Sequence, residues 1–225
     1  MMQLYIANKN YSSWSMRPWL VLKAFNIPFE EVMTPFPKER NTGTFKQEIL
    51  AINRNGKVPA LVNSDVLVWD SLAICEYLAE QYAEKNLWPL DSKLRARARC
   101  ISAEMHSGFP NIRNLCGMNL RANLAEKGAE LWQEFEDLQA DVTRIEQIFS
   151  ERPHINSFLC GEFSIADAFY APVVTRLKTY ALPVSESTQI YMQNVLNHFA
   201  VKEWIEGALA EDAWVNYLEP YQIQK

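Results

Sequence analysis

An apolar run over residues 2–7 (MQLYIA) suits one short buried strand, and apolar positions recur at helical spacing over 16–26 (MRPWLVLKAFN). Proline is tolerated in the first turn of a helix and not in its interior. Pro18 therefore predicts a helix start near Ser15 or Met16 and leaves 8–15 as the turn between strand and helix. Residues 29–34 (FEEVMT) alternate like an edge strand, and 45–52 (FKQEILAI) carry the pattern of a short helix. Two short strands are expected at 58–62 (VPALV) and 66–69 (VLVW), then a helix from Ser71 to about Tyr82. The order βαβαββα predicts a small layered α/β unit.

Past residue 82 the pattern changes. The polar, proline-containing stretch AEKNLWPLD (83–91) precedes segments that all read as helix, at about 92–109, 111–124, 126–151, 165–180, 188–199 and 201–211. The expected fold class is therefore α/β plus all-α. A first domain is expected over 1–83 and a helical bundle over 92–225.

Composition narrows the function classes. With 48% apolar and 22% charged residues the chain has an ordinary globular balance. A net charge of -5 without a basic cluster argues against nucleic-acid or anionic-membrane partners. Neither an export leader nor an apolar run long enough to span a membrane is evident, so a cytoplasmic protein is expected. Cys75, Cys100, Cys116 and Cys160 form no CxxC pair and are expected to be buried free thiols in a reducing compartment. His106, His154 and His198 lack metal-ligand spacing, and no metal is expected.

Three segments carry the candidate chemistry. In NGKVPALV (55–62), Pro59 stands before an apolar strand, where it cannot donate to a ladder. A trans edge proline is one reading. A cis Val58-Pro59 bond, exposing the Val58 backbone to an extended peptide-like ligand, is the other. In WDSLAICEYLAEQY (69–82), Asp70 and Ser71 stand at a helix N-terminus, where they either cap the helix or help cradle a carboxylate. In NKNYSSWSMRPWL (8–20), Ser12, Ser13 and Ser15 precede the first helix. They either cap it or point hydroxyls at a ligand; a hydroxyl donating to a thiolate, together with the helix dipole, lowers a thiol's pKa.

Taken together these segments resemble the cytosolic glutathione transferase family, across essentially the whole chain. SSWSMRPWL is similar to the SSCSxRVRxAL pattern of the zeta class and to its tau-class relatives. NGKVPALV resembles the family's cis-proline segment, WDSLAICEYLAE its E/D-S-x-A-I-x-x-Y-L stretch, and FLCGEFSIADAFYAPVV (158–174) its G-x-x-[FY]-S-x-A-D motif. The resemblance implies a thioredoxin-like domain followed by a helical bundle, with glutathione as co-substrate, a small hydrophobic electrophile as acceptor, a role in detoxification, and a homodimer. It implies Ser12 as the residue that stabilises the thiolate, with Ser13 as second choice. Val58, beside Pro59, would pair by its backbone with the cysteinyl part, Asp70 and Ser71 would hold the γ-glutamyl end, and Lys57 would reach the glycine carboxylate. Ser164 and Asp167 have the spacing of a capping box, which makes their role structural.

Trp14 stands where the zeta-class pattern has cysteine, which weakens transfer of maleylacetoacetate isomerase activity. Such an isomerase, or a non-catalytic binding protein on the same fold, are the alternatives. Arg113, Arg176, Tyr170 and Tyr180 could face the acceptor but equally read as surface arginines and core aromatics, and they receive no role.

Overall fold

The computed structural model describes residues 1–222. Its first half contains β1 (Gln3–Ile6), α1 (Ser13–Ala24), β2 (Glu30–Met33), α2 (Phe45–Ile52), β3 (Ala60–Asn63), β4 (Val66–Trp69) and α3 (Ser71–Gln81). The strands form one mixed sheet in the order β2-β1-β3-β4. β1 runs parallel to β2, as a helical crossover requires, and antiparallel to β3, which pairs antiparallel with β4. This is the thioredoxin-like arrangement that the resemblance implies, on the layered α/β order that the pattern predicts. After a short 3₁₀ turn at Ala83–Lys85 the chain is helical: α4 (Ser92–Ser107), α5 (Pro110–Leu115), α6 (Ala125–Glu134), α7 (Glu136–Ser150), α8 (Ile165–Thr179), α9 (Glu186–Asn197) and α10 (Phe199–Leu209).

α1 is the hinge of the packing. It touches β1 and α3 on one side and α8 and α10 on the other, so all of Ser13 and Ser15–Leu22 is buried. Trp19 meets Trp204 of α10 edge to face at 5.2 Å, and the Trp204 indole N–H donates to the Lys9 carbonyl at 3.1 Å. α8 is the matching centre of the helical half: every residue but Lys178 is buried. A helix surrounded on all sides needs no one-sided apolar stripe.

Several boundaries depart from the periodicity. α1 begins at Ser13, ahead of the expected Ser15 or Met16, so Pro18 lies inside the helix and the Trp14 carbonyl lacks its usual N–H donor. The helix expected at 111–124 covers only Pro110–Leu115. Beyond it, buried side chains capture the backbone carbonyls that a helix would have used: Arg176 Nε donates to Cys116 O, Tyr180 OH to Gly117 O and Thr179 Oγ1 to Asn119 O. The stretch expected as one helix over 126–151 divides at Phe135, whose backbone is extended (φ -118°, ψ 97°). Cys75, Cys116 and Cys160 are buried free thiols, whereas Cys100 is exposed.

The capping box at α8 anchors the helical half. Asp167 is fully buried and accepts from the N–H groups of Leu159 (2.9 Å) and Ser164 (3.0 Å) and from the hydroxyls of Ser164 (3.2 Å) and Tyr191 (3.0 Å). Removing the carboxylate would strand several buried donors at once. Asp167→Ala should therefore cost about 3 kcal/mol of unfolding free energy and Asp167→Asn less, read from urea denaturation midpoints.

Candidate functional site

Two adjoining cavities open where the α/β half meets the helical half. The larger, about 360 Å³, is lined by Tyr11, Ser12, Ser13 and Phe36 from one half and by Arg113, Met118 and Arg176 from the other. The smaller, about 200 Å³, is lined by Asn55, Pro59, Asp70, Ser71 and His106. Trp14, Lys57 and Val58 line both, so the two form one cleft.

Gly56 holds φ +64°, a conformation that strains any residue with a Cβ, and turns the chain into this segment. The Val58-Pro59 bond is cis. Among the described residues, no hydrogen bond engages the Val58 N–H or C=O.

At the smaller cavity, Asp70 and Ser71 divide their duties. Asp70 is the N-cap of α3: its Oδ1 accepts from Leu72 N–H at 2.8 Å and Ala73 N–H at 3.3 Å. It does so at φ 77°, a sparsely populated region for a non-glycine residue. Ser71, relieved of capping, is buried with no partner for its hydroxyl. A buried, unpartnered hydroxyl at the positive end of a helix suits a carboxylate.

The serines of the first turn do not cap α1 either. Ser12 occupies the N-cap position without a side-chain cap bond, and its hydroxyl donates to Ser15 Oγ at 2.7 Å. Ser15 also accepts from the Ala7 N–H at 3.3 Å, which ties the turn to β1. Ser13 Oγ accepts from Arg176 Nη2 at 3.2 Å, leaving its own proton uncommitted. Lys57 is exposed at the rim, its N–H bonded to Asn55 Oδ1 at 2.8 Å.

Three arginines surround this turn. The Arg17 guanidinium stacks 4.1 Å from the centre of the Trp14 ring, and Arg113 stacks 4.5 Å from it. Arg17 also lies 4.8 Å from the Phe169 ring, and its buried Nε and Nη1 have no hydrogen-bond partner. Burial, with Arg176 and Arg113 nearby, lowers the Arg17 pKa to about 9. Burial and Arg113 lower that of Arg176 to about 10. Lys57, Arg113 and Arg176 all line the larger cavity, and among the described residues no Asp or Glu does. The cleft therefore favours an anion at the first turn of α1.

His106 Nε2 lies 3.2 Å from Asp70 Oδ2, and its ring meets Trp14 edge-on at 5.3 Å. Sequence reading passed over this residue, because a lone histidine on a helix carries no spacing signal. Arg176 was equally open between surface and pocket and is in fact fully buried in the wall, whereas Tyr170 and Tyr180 belong to the core. Among the described residues, no group of three or more His, Cys, Asp or Glu side chains could hold a metal ion, and no helix is long and apolar enough to cross a membrane.

A mixed four-stranded domain, a helical partner and a cleft between them with an unpaired backbone edge at Val58 define a two-part fold built around that cleft. Comparison with known proteins gives the family. The glutathione S-transferase N-terminal domain model matches residues 11–81 and the C-terminal domain model residues 120–208. Glutathione S-transferase 1 of Dianthus caryophyllus is 27% identical over 187 residues, covering 82% of this chain and 81% of its own length. A probable maleylacetoacetate isomerase of Caenorhabditis elegans is 29% identical over 184 residues, covering 81% of each. The solved structure of a glutathione transferase homologue from Burkholderia, with bound glutathione, shares the fold at a TM-score of 0.68 and 22% identity, covering 93% of this chain and 99% of that one. The chain belongs to the glutathione transferase family.

The environment of two histidines makes a pH prediction. Burial lowers the pKa of both His106 and His198. An imidazole depressed in the folded chain binds fewer protons there than in the unfolded chain below about pH 6.5, so its contribution is present above that pH and lost as pH falls. The urea midpoint should drop between pH 7.5 and 5.5, and should drop less in the His106→Gln/His198→Gln double variant.

Proposed function

We propose that this chain is a glutathione-conjugating enzyme. Glutathione lies along the cleft, its thiol ionises at the first turn of α1, and the thiolate attacks a small electrophile in the larger cavity. The α/β unit, taken as 1–83, binds the peptide; the helical unit, taken as 92–225, supplies the far wall of the acceptor cavity. Ser71 and the N-terminus of α3 take the γ-glutamyl carboxylate, with Asp70 beside them. Val58, before Pro59, pairs with the cysteinyl backbone, and Lys57 reaches the glycine carboxylate. A cytoplasmic location, where glutathione is kept reduced, fits this reading.

One observation carries the proposal: Ser12 and Ser13 stand at the front of α1 with no capping duty, facing a cavity whose charged side chains are all cationic. Lowering a thiol pKa from about 8.5 to about 6.5 requires roughly 2.7 kcal/mol. A hydroxyl donating to an anion supplies about 1.5–3 kcal/mol and the helix dipole about 0.3–1 kcal/mol. Arg176 strengthens the case for Ser13, since it occupies that oxygen's lone pair and polarises the O–H. Ser12 reaches the sulfur by turning its hydroxyl away from Ser15, a rotation about one bond. Positioning and electrostatic stabilisation then account for catalysis.

A second reading is favoured by the same cations. Arg113, Arg176 and Lys57 would hold the carboxylates of a maleyl-type substrate, and the relationship to the Caenorhabditis elegans protein points the same way. Such an enzyme would isomerise a double bond without net consumption of glutathione.

The Ser12→Ala/Ser13→Ala double variant should lose about 10–100-fold in kcat/KM with an activated chloroarene while still binding glutathione, as expected for about 1.5–3 kcal/mol of lost stabilisation. The single variants locate the donor by the larger loss, and unchanged turnover in the double variant overturns the assignment. Val66 and Trp69 on β4 expose apolar surface suited to a second copy, so light scattering should return twice the mass of the chain.

A further inference from the structure

Asp70 uses only one of its carboxylate oxygens to cap α3. The other, Oδ2, faces His106 Nε2 at 3.2 Å, and both side chains line the smaller cavity together with the unpartnered Ser71 hydroxyl. His106 belongs to the last turn of α4, so this contact crosses from the helical half to the α/β half. The ring is held in place: Trp14 meets it edge-on at 5.3 Å and Phe169 lies 6.2 Å away at a tilt.

The protonation state follows from the surroundings. His106 Nδ1 is buried without a partner, so a proton there would be a buried N–H lacking an acceptor. The proton of the neutral imidazole therefore sits on Nε2, the nitrogen 3.2 Å from Asp70 Oδ2. Burial, Arg17 and Arg113 all disfavour the imidazolium, and Asp70 alone opposes them. A neutral imidazole in contact with the carboxylate braces it without cancelling its charge. Asp70 thus presents a fixed, uncompensated negative oxygen within the same small cavity as the Ser71 hydroxyl. An α-amino acid end needs that pair of features: a cradle for its carboxylate and an anion for its ammonium.

Resting on the glutathione reading of the cleft, we propose that His106 is a positioning residue for the γ-glutamyl ammonium, holding Asp70 Oδ2 as its counter-charge from the helical half. Glutathione affinity then depends on a side chain outside the domain that carries the rest of the peptide site.

Calorimetric titration of the full chain tests this with two ligands: glutathione, and the analogue in which hydrogen replaces the glutamyl α-amino group. His106→Ala should weaken glutathione binding about tenfold while changing affinity for the analogue less than twofold, because the analogue has no ammonium for Asp70 to hold. His106→Gln, which keeps a neutral N–H donor, should recover most of the loss and guards against a packing defect in the alanine variant. Equal losses for both ligands would assign His106 a merely structural role and overturn the proposal. So would unchanged glutathione binding in His106→Ala. A folded wild-type chain that binds no glutathione would instead remove the transferase reading itself, and this inference with it.

Discussion

The structure depends on the burial of charge around the first turn of α1. Arg17 and Arg176 are almost wholly removed from water, Arg113 is half-buried, and among the described residues no carboxylate pairs with any of them at salt-bridge distance. Guanidinium groups survive such burial by spreading their charge over aromatic faces and by donating to carbonyls. Arg17 and Arg113 both stack on the Trp14 ring, and Arg176 is held by Cys116 O, Pro172 O and Ser13 Oγ. What remains unsatisfied is net positive potential at a helix N-terminus that opens on a cavity. An anion delivered there would complete the local charge balance.

That arrangement also explains how the two halves are joined. α1 belongs to the α/β half by sequence but is covered on one side by α8 and α10. Arg176 of α8 reaches Ser13, and Arg113 of α5 reaches Trp14, so the helical half sets the electrostatics of a turn it does not contain. The smaller cavity repeats the pattern, with His106 of α4 meeting Asp70 ahead of α3. Neither half holds a complete site alone. Disturbing the packing between them would alter the chemistry even where every residue at the first turn is intact.

Local pattern made much of this legible. The strand and helix order of the first half followed from short apolar runs, from glycine and proline placement and from helical spacing, because those elements alternate with polar turns. The N-terminus of α3 and the α8 capping box each rest on residues close in sequence, so short motifs reported them, whereas the residues around Val58-Pro59 left cis and trans open and only the family resemblance pointed to the cis bond. Boundaries failed where tertiary donors competed for the backbone. The carbonyls of Cys116, Gly117 and Asn119 are taken by side chains of α8 and by Tyr180, and no local pattern announces that.

By itself the sequence determined the fold class, through periodicity, while motifs a few positions apart resembled those of the family and marked the segments that line the cleft. Only the tertiary structure decided what those residues face. It relieved Ser12, Ser13 and Ser71 of capping duty, buried Arg176 in the cleft wall and set His106 against Asp70. The reason is separation along the chain: Ser13 and Arg176 lie 163 residues apart. Contacts of that reach follow from how two halves dock and leave no periodic trace in either.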